Sequence, residues 1–229
     1  MRSLDGRIRD EEQMDDPSLD PAVYDEVLKG LGRVNAWTFA KRPTLSFLAR
    51  ATKGRDGFSL LDVGSGEGGM LRAIAKWAKR RGLAARLTGI DLNPKSEGVA
   101  RAMTPGDLPI EYRTGDYRDL GRFDFVVSSL VAHHMTDDQL LGFLCWMEAN
   151  SDRGWIVNDL HRHRFAYFGF PLLATLLGVH RIVRQDGRLS IARAFRPDDW
   201  RSILAEAGVS EGVEVRRYFP FRLCVERLR

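Results

Sequence analysis

Residues 60–69 read Leu-Leu-Asp-Val-Gly-Ser-Gly-Glu-Gly-Gly, an apolar run that ends in glycines. This pattern predicts a buried strand, a tight turn and the start of a helix. The glycines at 64, 66 and 69 have the spacing of nucleotide-binding turns, where glycine permits the turn and lets a ligand approach bare backbone. We therefore expect a nucleotide-like cofactor at this turn.

Two carboxylates give the turn its chemical character. Asp62 lies two positions before Gly64, and Glu67 lies at the start of the following helix. They disfavour a pyrophosphate, which binds a helix N-terminus through its positive dipole end and free N–H groups. They favour a cation such as S-adenosylmethionine, which carries an ammonium and a sulfonium group and no phosphate. A nicotinamide oxidoreductase is the alternative that the glycine spacing alone allows.

The motif Asp62-x-Gly64-x-Gly66-x-Gly68 resembles the first motif of the class I S-adenosylmethionine-dependent methyltransferases. The resemblance extends over residues 58–160, and later landmarks of the family follow in the expected order. It implies a Rossmann-like fold and S-adenosylmethionine as the cofactor. The cofactor contacts implied at the turn are Asp62, Gly64, Ser65 and Gly66.

Strands and helices alternate along the chain. The predicted strands are 58–63, 86–91, 110–114, 123–128 and 154–160, followed by a pair at 213–219 and 221–228. The predicted helices among them are 68–81, 94–103, 136–149 and 197–207. This alternation predicts an α/β fold of three layers, with a doubly wound, mostly parallel sheet that ends in a C-terminal antiparallel pair.

Two segments lie outside this alternation. Helical spacing at 17–37 and 43–52 predicts an N-terminal helical cap over residues 1–53, so that the methyltransferase domain covers 54–229. An apolar run at 165–179 lies within an insertion at about 161–195, which we expect to form a lid. The run is too short to cross a bilayer, and we expect no transmembrane segment.

Composition limits the remaining choices. The chain has 229 residues, 44% of them hydrophobic, which is enough for one substantial core. Its net charge is +4, but the arginines are scattered, so we expect no nucleic-acid partner. Cys145 and Cys224 lie far apart, which disfavours a disulfide framework and fits a cytoplasmic location. The first 16 residues are charged and lack the apolar core of a signal peptide.

Further cofactor contacts are expected where the strands end, because ligands of open α/β sheets bind beyond the carboxyl ends of the strands. Asp91, beside Leu92, is expected to accept hydrogen bonds from the ribose hydroxyls; the alternative is a turn or capping role. By resemblance, Asp116 takes the adenine amine and Tyr117 covers the ring. Ser128 lies near the expected methionine portion, or is simply a small polar residue at a strand end.

The candidate catalytic residues are histidines. His133 begins a His-His-Met-Thr-Asp stretch that is similar to the His-x-x-Ser/Thr-Asp stretch of phenolic O-methyltransferases, and this resemblance makes it the general base. A phenol has a pKa of about 10, so a base with a pKa of about 6.5 within reach would assist transfer. His134 is an alternative base, as is His161 oriented by Asp159. No third ligand accompanies these groups at metal-binding spacing, so we expect no metal site.

The insertion also suggests the kind of acceptor. Its aromatic residues at 165–171, with apolar residues near the N-terminus, would form a roof suited to an apolar, aromatic small molecule. The N-terminal residues of this roof are Leu31, Val34, Trp37 and Phe39. The alternative is ordinary packing of a subsidiary helix, or a contact in a homodimer.

The sequence thus predicts a small-molecule methyltransferase of a biosynthetic pathway, with phenolic O-methylation favoured. Methylation of carbon on a quinone-like ring is the closest alternative, because the same base would generate that nucleophile. RNA methylation is disfavoured, since the fourth strand ends in Ser128-Ser129-Leu130 and not in the Asn/Asp-Pro-Pro-aromatic signature. A non-catalytic cofactor-binding module and the nicotinamide oxidoreductase lie outside this class.

Overall fold

A computed structural model describes residues 4–10, 12–16 and 18–229. Its centre is a seven-stranded sheet in the order β3-β2-β1-β4-β5-β7-β6. Strands β1 to β5 run parallel, and β7 runs antiparallel to both β5 and β6. The strands are β1 (Gly57–Val63), β2 (Ala84–Asp91), β3 (Ile110–Thr114), β4 (Phe123–Ser129), β5 (Ser151–Leu160), β6 (Val213–Tyr218) and β7 (Arg222–Leu228). The predicted doubly wound sheet with its antiparallel closing pair is confirmed.

Eight α-helices occur within the described ranges. They are α1 (Pro21–Trp37), α2 (Arg42–Ala51), α3 (Gly69–Arg80), α4 (Pro94–Met103), α5 (Asp137–Asn150), α6 (Arg164–Leu176), α7 (Arg181–Arg193) and α8 (Pro197–Glu206). The first helix begins at Pro21, where the Asp20 side chain accepts the N–H groups of Ala22 and Val23 as an N-cap; the predicted start at residue 17 lies outside the described residues. Helix α7 was not predicted.

The core has two main parts. One cluster packs α2 and α3 against the sheet through side chains such as Phe47, Leu71 and Phe125. The other packs α5 and α8 against it through side chains such as Phe143 and Trp200. This arrangement gives the three layers that the sequence predicts, and it holds the carboxyl ends of β1, β2, β4 and β5 along one edge.

Helices α1, α6 and α7 cover that edge. Val27 and Val34 of α1 pack against Ile182 and Val183 of α7, all four buried. Gly30 allows this close approach, since a Cβ there would lie 3.1 Å from a methyl group of Val183. The cap and the insertion therefore meet directly over the ends of the strands.

One face of α6 is apolar and exposed. Its large exposed side chains are Phe165, Phe168, Leu172 and Leu176. Among the helices of the described ranges, none combines the length and the apolar character that crossing a membrane requires.

Candidate active site

The glycine turn, residues 64–68, presents bare backbone at the end of β1. Gly64, Gly66 and Gly68 have φ angles of 73°, 51° and 77°, in the left-handed region that favours glycine. A Cβ on Gly64 would lie 2.3 Å from a methyl group of Val131, whereas a Cβ on Gly66 would meet open space. Gly64 thus lets the turn pack against the loop after β4, and Gly66 leaves room for a ligand.

Asp62 is buried beneath this turn. Its Oδ1 has no hydrogen-bond partner in the described parts of the chain. Burial raises the pKa of Asp62 to about 8, with further contributions from the charges of Asp91 and Glu67. A buried carboxyl group with a free oxygen atom fits the ammonium group of S-adenosylmethionine, which would compensate its charge.

The structure corrects the role expected for Glu67. Its carboxylate is paired with the guanidinium of Arg72, one helical turn further on. Glu67 is therefore occupied by Arg72, and the carboxyl groups that remain at the turn are those of Asp62 and Asp91.

Asp91 connects two backbone segments. Its Oδ2 accepts the N–H of Gly66 at 2.8 Å, and its Oδ1 accepts the N–H of Asn93 at 2.9 Å. Each carboxylate oxygen has a second lone pair that can accept from a ribose hydroxyl. The neighbouring Leu92 is 73% exposed.

The other expected cofactor residues have partners within the protein. Asp116 accepts the N–H of Arg118 at 2.9 Å, and the side-chain and backbone hydrogen bonds from Arg118 lower its pKa. The Tyr117 ring packs edge-on against Phe143, with centroids 5.1 Å apart. The buried Ser128 hydroxyl donates to the carbonyl of Val63 at 3.0 Å, which supports the alternative structural role.

His133 is held by Asp159, the buried residue near the end of β5. Asp159 Oδ1 lies 2.7 Å from His133 Nδ1, and its Oδ2 accepts the His133 backbone N–H at 3.0 Å. Burial alone would raise the pKa of Asp159, but the charge of His133 and hydrogen bonds to the carboxylate bring that pKa below its usual value. A carboxylate only accepts, so Nδ1 carries the hydrogen and Nε2 is left for other partners.

His133 lines an apolar cavity of about 450 Å³. The cavity lies between α1, α6, α7 and the loop after β4. His133, His134 and Glu12 form its polar floor. Most of the other lining side chains are apolar and include Leu31, Val34, Leu130, Phe165, Phe170 and Phe221. Val131, in the same loop as the two histidines, packs on Gly64, which places this loop beside the glycine turn.

Comparison with known proteins identifies the domain around this site. Residues 61–145 match the family described as a methyltransferase domain. The chain is therefore an S-adenosylmethionine-dependent methyltransferase, with its methyltransferase domain matched over these residues. Its cofactor is S-adenosylmethionine, in place of the nicotinamide alternative. A search of curated proteins finds no match to the methyltransferase.

Solved structures share its fold at low sequence identity. The plantazolicin methyltransferase BpumL, in complex with a triazolic desmethylPZN analog and SAH, is 14% identical with a TM-score of 0.68, covering 92% of each chain. Magnesium protoporphyrin IX methyltransferase from Synechocystis PCC 6803, with bound SAM, is 16% identical with a TM-score of 0.55. That match covers 95% of this methyltransferase and 88% of the other chain.

The structure separates the three histidine candidates of the methyltransferase. His133 and His134 share the cavity floor, with ring centroids 4.3 Å apart. The expected pairing of Asp159 with His161 is wrong, because the Asp159 carboxylate is used by His133. His161 is half-buried beside His163, and burial, followed by the positive charges around it, lowers its pKa to about 4.

The predicted aromatic roof is correct in part. Leu31 and Val34 line the cavity, as does Phe165 of the insertion. Trp37 and Phe39 do not: they are 66% and 52% exposed, whereas Thr38 between them lines the cavity.

Glu12 is the site residue that sequence reasoning missed. Its Oε1 lies 3.8 Å from His133 Nε2. Glu12 is thus a potential third ligand beside the two histidines, which the sequence analysis did not find. No motif surrounds this residue, which stands among many charged residues near the N-terminus.

Proposed function

We propose that this methyltransferase transfers a methyl group to a phenolic hydroxyl of a small, apolar, aromatic acceptor bound in the apolar cavity. The observation that carries the proposal is that His133, held by Asp159, lines that cavity. An apolar cavity with a few convergent polar groups is typical of small-molecule sites. The mostly apolar lining of the cavity also suits an aromatic ligand better than a nucleic acid strand, whose phosphates need basic side chains.

The cofactor contacts follow from the turn. Asp62 would face the ammonium group of S-adenosylmethionine, and the backbone of residues 64–66, including Ser65, would lie against its methionine portion. Asp91 and Leu92 would contact the ribose, and Asp116 the adenine. Tyr117 would present the free part of its ring to the base. We leave Ser128 out of this set because its hydroxyl already binds Val63.

The protein's part in the reaction is positioning and proton transfer. S-adenosylmethionine supplies a methyl group that is activated by its bond to a sulfonium. The cavity orients the acceptor oxygen toward that carbon and excludes water, which accounts for much of the rate enhancement available to such reactions. As the new O–CH₃ bond forms and the S–CH₃ bond breaks, Nε2 of His133 takes the hydroxyl proton. Asp159 keeps His133 in the tautomer that can accept it.

The cap and the lid form the acceptor side. We propose residues 1–53 as the cap and 161–195 as the lid of the domain at 54–229, because α1, α6 and α7 enclose the cavity. The solved complex of BpumL with a desmethylPZN analog supports an acceptor of natural-product type.

The test is transfer of labelled methyl groups to a panel of phenols, hydroquinones and RNA. We expect phenols to be methylated, and we expect His133→Ala to lower kcat by about 100-fold or more while the Kd for S-adenosylmethionine stays nearly constant. His161→Ala should retain most of the activity. Labelling of ring carbon would favour the C-methylation alternative.

Two results would contradict the proposal. If His133→Ala kept full activity and His161→Ala lost it, the general base would be His161 and not His133. Tight cofactor binding without turnover on any acceptor would favour a non-catalytic module.

A further inference from the structure

Glu12 from the N-terminal segment lies beside the adjacent His133 and His134 at the floor of the cavity, and all three side chains are potential metal ligands. Glu12 Oε1 lies 3.8 Å from His133 Nε2 and 3.9 Å from His134 Nε2. One ligand atom from each residue lies within 4.8 Å of the other two. We propose that Glu12, His133 and His134 bind a divalent first-row transition metal ion, with Zn²⁺ as the best fit, and that its remaining coordination position opens into the apolar cavity.

The donor set selects this class of ion. Two imidazoles and one carboxylate are the three protein ligands of a common type of catalytic zinc site, in which the fourth position is left for water or substrate. Mg²⁺ and Ca²⁺ prefer oxygen ligands and are disfavoured. In a tetrahedral site with bonds of about 2.0–2.1 Å, ligand atoms are about 3.3 Å apart. The observed separations of 3.8 and 3.9 Å need only small side-chain rotations to reach that geometry.

Side chains around the cluster hydrogen-bond two of the ligands and hold them in place. Asp159 binds Nδ1 of His133, which leaves Nε2 as the ligand atom and forms a carboxylate–histidine pair of the kind found behind metal ions. The Ser190 hydroxyl donates to Glu12 Oε1 at 2.7 Å. Both carboxylates also supply negative charge that offsets the charge of a divalent cation.

Arg193 fixes the backbone that carries these ligands. Its guanidinium donates to the carbonyls of His133 and His134 at 3.2 and 3.4 Å, and to the carbonyl of Asp10 at 3.0 Å. This one buried side chain of α7 therefore joins the N-terminal segment to the histidine loop. Such preorganisation is what a metal site needs, because ligands that are already in place lose little freedom on binding.

The cluster is accessible from the cavity side. The side chains of Glu12 and His133 are each 3% exposed, and that of His134 is 32% exposed. A bound ion would therefore meet the acceptor at its open position, orient the acceptor oxygen and lower the pKa of the hydroxyl. This last role rests on the proposed function, and in the metal-loaded form Nε2 of His133 is a ligand instead of a base.

The test measures metal binding without cofactor or acceptor. Untagged, chelator-treated protein is incubated with Zn²⁺, desalted and analysed by elemental mass spectrometry; Co²⁺ is used in parallel for its absorption spectrum. We expect one Zn²⁺ per chain and a Co²⁺ spectrum of a four- or five-coordinate site. Glu12→Gln keeps an acceptor for Ser190, and both it and His134→Ala should weaken Zn²⁺ binding by about 100-fold or more.

The controls replace a histidine and a glutamate outside the cluster. His180→Asn retains a capping acceptor for α7, and Glu206→Gln changes an exposed carboxylate. Both should bind Zn²⁺ as the unmodified protein does. Zn²⁺ uptake well below one equivalent, or equal affinity in Glu12→Gln and the unmodified protein, would overturn the proposal.

Methyl transfer then separates this proposal from the previous one. Full transfer to phenols by chelator-treated protein that takes up no Zn²⁺ would refute the metal site and leave the proposed function standing. One bound Zn²⁺ that is lost in both cluster variants, together with no transfer to any phenol or hydroquinone, would support the metal site and refute the proposed function.

Discussion

At the scale of single residues, Asp62 couples protonation to cofactor binding. Its pKa of about 8 means that the buried carboxyl group is mostly protonated at pH 7. An ammonium group beside it favours the ionised form and lowers that pKa. Binding of S-adenosylmethionine should therefore release a proton.

The prediction is that cofactor affinity rises between pH 6 and pH 7 and that binding at pH 7 releases a proton. Calorimetry in two buffers of different ionisation enthalpy measures this release. Asp62→Asn should bind more weakly and release none, because it has no carboxyl group to ionise. Proton release that is unchanged in Asp62→Asn would show that another group is responsible.

The raised pKa of Asp62 also makes the free energy of unfolding depend on pH. An unfolded Asp has a pKa of about 3.9, so the native protein binds one more proton than the unfolded chain between about pH 4 and pH 8. The contribution of Asp62 to stability is therefore complete below this range and is lost as the pH rises through it.

At the scale of elements, the start of α5 sets the end of the histidine loop. The Thr136 hydroxyl accepts the N–H of Gln139 at 3.2 Å, and the Gln139 side chain accepts the N–H of Thr136 at 2.9 Å. These two hydrogen bonds form a capping box. It is local, since both partners lie within one helical turn.

Thr136→Ala is expected to lower the free energy of unfolding by about 1 kcal/mol, because it removes the acceptor at the N-cap. Denaturant titration measures the change. Thr136→Ser keeps the hydroxyl and serves as the matched control, which should remain close to the unmodified protein. Equal losses in both variants would show that the threonine methyl group, and not the cap, supplies the stability.

At the scale of the whole molecule, the cavity exists because the cap and the lid pack on each other. Val183 of α7 is fully buried in that contact. This contact joins residues of α1 and α7, which are separate in sequence from the glycine turn at 64–68. The acceptor side of the site therefore has packing contacts of its own.

Val183→Ala is expected to cost about 2 kcal/mol of stability and to raise the KM for the acceptor, with little change in the Kd for S-adenosylmethionine. The control is Leu204→Ala in α8, which removes buried apolar volume on the other side of the sheet. It should lower stability without raising that KM. A rise in the acceptor KM of equal size in both variants would mean that general loosening is the cause.

Much of the cofactor side of the site could be predicted from the sequence, because the residues that form it lie close together in the chain. The strand, the glycine turn and the helix of residues 57–80 are contiguous, and the positive φ angles at 64, 66 and 68 can be expected from glycine alone. Helix α4 was predicted with its bounds, Pro94–Met103, because proline is favoured in the first turn of a helix.

The alternation of apolar strands and amphipathic helices, and the acidic glycine turn, determined by themselves the doubly wound fold and the choice of S-adenosylmethionine. Only the tertiary structure decided that Asp159 holds His133 and not His161, and that Glu12 joins the histidines on the cavity floor. The physical reason is distance along the chain. These contacts join residues 26 and more than 100 positions apart, and they depend on how α1, α6 and α7 pack over the sheet, for which short-range patterns carry no signal.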